Sequence, residues 1–503
     1  MQTLSHFFVR GLVPSLILAM LFPTLVAGAD IKLPELGDSS SGLVSLQQEQ
    51  DLGRAWLMAF RRQVRTYDDP QVQDYLEHLL FRLATASELL DRHLQLVLVN
   101  NTSINAFAVP GGIVGVHTGL LLQAHTEHQC ASVLTHELAH LSQRHFARSL
   151  ESQHQSTVVG LTGLLAGLVL AATGGAQAGM AAIATSQAAM MDQSLIYSRQ
   201  NEQEADRIGI ETLYRAGMDP AGAAEMFELM LAATRYTGQR PPEFMLTHPL
   251  TESRVSDIRA RISKYPPRQY PDDLEYHLMR ARIQATSAER PELAAARFRD
   301  ELAGDSLSRT AARYGLALAL SAMGDHKGAR EQIRSLLAED PERVTYRLAA
   351  IAIERTAGAA GTAIEQAQQL LAAAPDNYPA LMELARSLES ADRVGEAETV
   401  LTRLSRDRPN DPQVWFELAE VSGLAGDIPN VHMARAEYFM LNGAFDKARE
   451  HLRYARKLQE QNFRQVALID QRLEDLDHLE HQLGGPRGPN RSRWNPGTAD
   501  SLL

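Results

Sequence analysis

Cys130-Ala131-Ser132-Val133-Leu134-Thr135-His136-Glu137-Leu138-Ala139-His140-Leu141 is the stretch on which the reading of this chain turns. His136 and His140 stand four residues apart, so on a helix both imidazoles lie on one face and can reach a single metal ion. Glu137 is rotated by about 100° around the same helix, which suits it to a water on that ion rather than to the ion itself. A His-Glu-x-x-His helix is the apparatus of zinc-dependent peptide hydrolysis. The plain alternative is a surface helix carrying two solvated histidines. Cys130, Val133, Leu134, Leu138, Ala139 and Leu141 argue against it. They make a largely apolar helix that should be buried, and buried histidines need partners.

A catalytic zinc typically has three protein ligands and one open position. The best candidate for the third lies in Tyr197-Ser198-Arg199-Gln200-Asn201-Glu202-Gln203-Glu204-Ala205-Asp206, where Glu202 and Asp206 again share one helix face. With Glu202 on the metal, Asp206 sits one turn further on, where it can accept a hydrogen bond from a ligating histidine and fix its orientation. Glu204 points off that face and is the weaker candidate. An acidic, solvated helix is the alternative for this segment.

Together these motifs resemble the HtpX and CaaX-prenyl-protease-like zinc metallopeptidases, whose Glu-x-x-x-Asp signature corresponds here to Glu202 and Asp206. Asn105-Ala106-Phe107-Ala108-Val109-Pro110-Gly111-Gly112 and Gly119-Leu120-Leu121 resemble that family's strand-turn-strand entry to the active-site helix. The resemblance covers roughly residues 45–260. It implies one zinc ion per chain, His136, His140 and Glu202 as ligands, Glu137 as general base, and Asp206 as the residue behind a ligating histidine.

Residues 94–99 alternate as a short strand, and residues 105–109 and 113–117 read as a hairpin around Pro110-Gly111-Gly112. A strand at the edge of the cleft offers unpaired backbone groups to an extended substrate. The resemblance assigns that part to Gly112, Ile113 and Val114; an ordinary structural hairpin fits the same residues. Six prolines between residues 240 and 272 mark a domain seam. His248 lies there, in Thr247-His248-Pro249-Leu250. A lone loop histidine is usually solvated, but periplasmic-type members of the family carry a Thr-His-Pro segment near the cleft, which implies His248 as a regulatory fourth ligand.

Beyond the seam a 34-residue period sets in, with Ala295, Ala329, Ala363 and Ala397 in one register and Pro341, Pro375 and Pro409 in another. Ile283, Ala317, Ile351, Ala385 and Ala419 make a third. This is the tetratricopeptide period, in which stacked helix pairs leave a concave, protein-binding groove. After Asp427 the phase slips, and an irregular insertion is expected before the array ends near residue 480. The expected fold is therefore mainly α with a small β-sheet: a zincin-like domain at residues 30–271, a tetratricopeptide α-solenoid at 272–480 and a disordered tail at 481–503.

Arg10, an apolar run at residues 12–26 and Ala27-Gly28-Ala29 read as a signal peptide cleaved after Ala29. With the single cysteine Cys130 no intrachain disulfide is possible, so this exported chain relies on core burial. A net charge of −12 disfavours a nucleic-acid partner. The apolar run at residues 158–172 is too short for a bilayer core of about 30 Å; with the small residues up to 184 it reads as a buried or membrane-touching hairpin, hence a possible peripheral membrane contact. The order of leader, zinc domain and array resembles the periplasmic branch of the family. That resemblance implies a Gram-negative periplasmic protease for unfolded or misassembled outer-membrane β-barrel proteins. It also implies help with their assembly and docking through the array onto the barrel-assembly machinery. Two rivals stay open: a chaperone-like binding protein with a latent or structural zinc site, and an integral-membrane peptidase.

Overall fold

The computed structural model describes residues 45–152, 199–237, 241–271 and 273–482. The expected leader, the apolar run at 158–184 and nearly all of the expected tail lie outside the described residues. Among the described residues no helix is long and apolar enough to cross a membrane.

The first block opens with two helices, α1 (Leu46–Arg61) and α2 (Pro70–Ala86). Asp69 starts α2 by accepting hydrogen bonds from the Gln71 and Val72 amides, and Pro70 occupies the first turn, where no donor is needed. Leu76, Leu79, Leu80 and Leu83 form its buried stripe. Three strands follow, β1 (Gln95–Val99), β2 (Ala106–Val109) and β3 (Ile113–His117). Gly111 and Gly112 turn β2 into β3 at φ 85° and 79°. A side chain on Gly112 would start 2.3 Å from the His93 carbonyl oxygen, so that turn accepts only glycine.

The sheet order is β1-β3-β2. This corrects the expectation that Gly112, Ile113 and Val114 line a free edge. Ile113 and Val114 pair with Gln95 and Leu96 in parallel β1 and with Val109 and Ala108 in antiparallel β2. Their strand is the central one, with backbone groups used on both sides. The turn at Gly111-Gly112 pairs β2 with β3, and the docking of β1 on the other side of β3 has no local signal.

After the short α3 (Thr118–Gln123) comes the motif helix α4 (Glu127–Ser142), whose Thr126 cap accepts from the Gln129 amide. Every residue from Gln129 to His140 is buried. The helix is pinned to α2 by Glu127, which accepts from Tyr75 and Arg82, each at 2.7 Å. Next are α5 (His145–Ser152), α6 (Arg199–Arg215), α7 (Ala221–Thr237), α8 (Glu243–Thr247) and α9 (Glu252–Ile262).

The array begins with α10 (Leu274–Thr286), α11 (Pro291–Ala303), α12 (Arg309–Ala322) and α13 (His326–Glu339). It continues with α14 (Val344–Thr356), α15 (Ala360–Ala373), α16 (Tyr378–Ser390) and α17 (Val394–Asp407). The last four helices are α18 (Pro412–Ala425), α19 (Ile428–Leu441), α20 (Phe445–Leu458) and α21 (Phe463–Gln482). Both helical small-residue registers are buried: Ala295, Ala329, Ala363 and Ala397 on the second helix of each pair, and Ile283, Ala317, Ile351, Ala385 and Ala419 on the first. No insertion follows Asp427; α19, α20 and α21 continue the beat with short turns. The small-residue registers lapse there and the last helix lengthens to 20 residues, which a periodicity reading registers as a slip.

The proline-rich seam is not a loose joint. Tyr276 of α10 is fully buried and donates to the carbonyls of Leu121 and Ala124, and Arg280 donates to that of Leu122. Arg282 reaches Asp69 at 2.8 Å, both groups being largely buried. One hydrophobic core runs from α2 through α4 into the first repeats. The array returns to this block further along, where Arg408 binds Glu77 at 2.7 Å. A cavity of about 760 Å3 separates the two there, with Leu96 and Val97 of β1 on one wall and Tyr378, Phe416 and Tyr438 on the other.

Replacing Arg282 by alanine leaves the Asp69 carboxylate buried without its cation. The expected cost in denaturant unfolding is about 3–5 kcal/mol. A cost below about 1 kcal/mol would show that this pair does not hold the seam.

Candidate metal centre

Two helices distant in sequence build the site. On α4, His136 and His140 project from successive turns; on α6, Glu202 and Asp206 do the same. The helices approach so closely that a Cβ added to Gly209 would lie 3.1 Å from the His136 amide nitrogen and 3.2 Å from its Cα. Gly209 is thus the point at which α6 passes the backbone of α4. His248 enters from the end of α8, where its amide donates to the Phe244 carbonyl and its ring stacks on Phe244 with centroids 4.6 Å apart.

Among the described residues His136, His140, Glu202 and His248 form one buried group whose ligand atoms all lie within 4.8 Å of one another. His136 Nε2 stands 3.1 Å from His140 Nε2, 3.3 Å from His248 Nδ1 and 3.5 Å from Glu202 Oε2. Glu202 Oε1 is 3.5 Å from His140 Nε2 and 3.0 Å from His248 Nδ1. On the far side of the first ring, His136 Nδ1 lies 3.0 Å from Asp206 Oδ1. A neutral imidazole has one N–H and one lone pair. With the proton on Nδ1, the side on which Asp206 lies, the Nε2 lone pair of His136 faces the other donors.

Such an arrangement of lone pairs is repulsive until a cation lies among them. Four donors about 2.0–2.1 Å from one ion at tetrahedral angles stand about 3.3–3.4 Å apart, close to the separations seen here. Two imidazoles and a carboxylate, with a third imidazole beside them, are a donor set that suits zinc.

Charge points the same way. Asp206 and Glu202 are held by Arg254, which donates to both Asp206 oxygens at 2.7 Å and stands 2.8 Å from Glu202 Oε2. Burial alone would raise these carboxyls, but Arg254 and His136 outweigh it at Asp206, and His248 and His136 at Glu202, so both lie below their ordinary values. Burial also opposes a charge on His136, yet the hydrogen bonds of Asp206 and Glu202 carry it up to about 9. His140 is pushed well below the usual imidazole value by burial and by His136. The pocket thus draws one positive charge to the His136 side and rejects a second proton at His140.

Glu137 faces the cluster from the adjoining side. Its Oε1 is 3.5 Å from His248 Nε2, and its carboxylate accepts the backbone N–H of Ala108. Burial raises its pKa, against the pull of His248 and His136. The strand that borders the cluster is therefore β2. Gly112, Ile113 and Val114 sit in the turn before β3 and in β3 itself, away from these contacts. Glu204 binds His145 and Arg148 and does not join the cluster.

Two residues of the site escape a sequence reading. Arg254 follows the seam prolines with no local pattern that singles it out. His145 contacts the far side of His140, with Nδ1 to Nδ1 at 2.9 Å. Its signal was a third histidine shortly after the motif, which helical spacing does not place on the metal face.

Comparison with known proteins agrees with this geometry. Residues 70–262 match the model of Peptidase family M48, and residues 314–378 and 355–421 match tetratricopeptide repeat models. The chain is 32% identical, over 94% of its length and 97% of the relative's, to the beta-barrel assembly-enhancing protease of Escherichia coli (strain K12). It is likewise 32% identical, over 94% of its length and 98% of the relative's, to the putative beta-barrel assembly-enhancing protease of Vibrio cholerae. The mitochondrial metalloendopeptidase OMA1 of Schizosaccharomyces pombe is 30% identical over 37% of this chain and 51% of its own length.

Because Gly209 meets backbone rather than a movable side chain, Gly209→Val is expected to force α6 from α4 and cost about 1–3 kcal/mol in thermal or denaturant unfolding. Unchanged stability would mean that the two helices have room to spare.

Proposed function

We propose a zinc-dependent endopeptidase of exported-protein quality control, on the premise that this chain belongs to peptidase family M48 and is a metalloendopeptidase. The observation that carries the residue assignment is the buried meeting of His136, His140 and Glu202 beside Glu137. In this reading His136, His140 and Glu202 hold the ion, and Asp206 fixes the His136 ring. When bound, zinc supplies Lewis acidity to the scissile carbonyl and to the attacking water. Glu137 takes the water's proton and delivers it to the leaving amine. Arg254 keeps Glu202 and Asp206 ionised and in place. An extended substrate runs beside β2, the edge strand nearest Glu137.

His248 is the gate. Its Nδ1 lies among the ligand atoms and its Nε2 approaches Glu137, so it stands where water and substrate must enter. Displacement of the segment between α8 and α9 opens the site. The same closeness favours the chaperone-like alternative, in which the site stays latent and the array alone handles protein chains.

For substrates, the names of the relatives point to β-barrel assembly; in this reading the substrates are outer-membrane β-barrel proteins that fail to assemble, and a tetratricopeptide array is suited to hold such chains or to dock on assembly machinery. The leader at residues 1–29 and the Gram-negative relatives support a periplasmic location.

Degradation of an unfolded protein such as casein tests this reading. Chelation is expected to stop cleavage, and Glu137→Gln to reduce it by at least ~100-fold while the protein retains its metal. Cleavage by Glu137→Gln at the parental rate would remove Glu137 from the role. His248→Ala is expected to raise cleavage several-fold; unchanged cleavage with zinc still bound rejects the gate, and absence of cleavage in parent and His248→Ala alike favours the chaperone-like alternative.

A further inference from the structure

We propose that His145 and Glu204 are positioning residues that set the tautomer and orientation of His140. The inference rests on the reading above that His140 is a metal ligand. It begins from where protons can sit. His140 Nε2 faces the cluster, 3.1 Å from His136 Nε2 and 3.5 Å from Glu202 Oε1, so its lone pair belongs there. The single proton of a neutral ring is then on Nδ1.

His140 Nδ1 lies 2.9 Å from His145 Nδ1. Two ring nitrogens at that distance need one donor and one acceptor. His145 Nδ1 is the acceptor, which puts the His145 proton on Nε2. That atom is 3.1 Å from Glu204 Oε2, an acceptor only. Each contact in the chain Glu204–His145–His140 admits one proton placement, and the placements agree.

The chain is also held still. His145 is fully buried. Arg148 donates to the same Glu204 oxygen at 3.1 Å. Arg144, just before His145, adopts φ 48°, a left-handed conformation uncommon for a side-chain-bearing residue. Its guanidinium reaches Glu49 at 3.0 Å and 3.2 Å. This turn breaks α4 from α5 and brings the His145 ring back onto His140, at a centroid distance of 4.8 Å. The two ligating rings are therefore set by different devices: Asp206 acts on His136 directly, and Glu204 acts on His140 through a second imidazole.

Zinc affinity of the full-length protein, measured by competition with a chromophoric chelator, tests the relay without using activity. His145→Leu and Glu204→Ala are expected to bind zinc ~10–100-fold more weakly. His145→Asn, whose amide oxygen stands near the Nδ1 position, should stay within about threefold of the parent, well inside that loss. Should His145→Leu fail to fold, His145→Gln serves in its place, because its amide stands near the Nε2 position, towards Glu204, and places no acceptor at the Nδ1 position that faces His140. Equal affinity in His145→Leu (or His145→Gln) and the parent, or equal losses in His145→Asn and these variants, overturns the relay. A parent protein that binds no zinc overturns instead the metal reading on which the relay stands.

Discussion

The close crossing of α4 and α6 is the constraint from which the rest of this structure follows. Four side chains from two helices can converge only if the backbones nearly touch, and the missing side chain of Gly209 against His136 permits it. The contact sets the depth of Glu202 and Asp206 relative to the two imidazoles. Burial then does the chemical work. Away from water the facing lone pairs and carboxylates cannot be screened, so the pocket has a strong preference for a cation.

Around that centre each charged group is answered by another. Arg254 clamps Asp206 and Glu202, Asp206 meets His136, and Glu204 meets His145 behind His140. A buried charge network is costly unless every member is satisfied. Here a metal ion is the member that completes it. The wider fold supports this rigidity: the core of the peptidase block continues into the first repeats, and the Asp69–Arg282 pair crosses the seam. The array is therefore anchored to the catalytic block rather than tethered beside it. The repeats are thus kept at a defined position relative to the buried His136–His140–Glu202 group.

Much of this is legible in the sequence because helices and repeats are periodic. Four-residue spacing groups His136 with His140 and Glu202 with Asp206, and the 34-residue registers identify residues that the structure buries at helix contacts. What stays hidden depends on contacts between distant elements. The hairpin signal at Gly111-Gly112 carries no information on which side β1 docks, so a sequence reading places the free edge on β3 when it lies on β2. Arg254 and His145 gain their meaning only from the groups they face. The proline-rich stretch at 240–272 reads as a domain seam, and only the structure shows Tyr276 and Arg280 hydrogen-bonding across it to α3 and the residue after it. After Asp427 the small-residue registers lapse without any insertion: two 14-residue helices follow, and the last helix lengthens to 20 residues.

The central claim is that one ion joins α4 to α6. The most direct measurement is a crystal structure of the zinc-loaded protein with anomalous diffraction recorded on both sides of the zinc absorption edge. The account predicts a single zinc-specific peak in each molecule, about 2.0–2.2 Å from His136 Nε2, His140 Nε2 and a Glu202 oxygen. A peak bound by the histidines with Glu202 turned away, or no peak between the two helices, would contradict it.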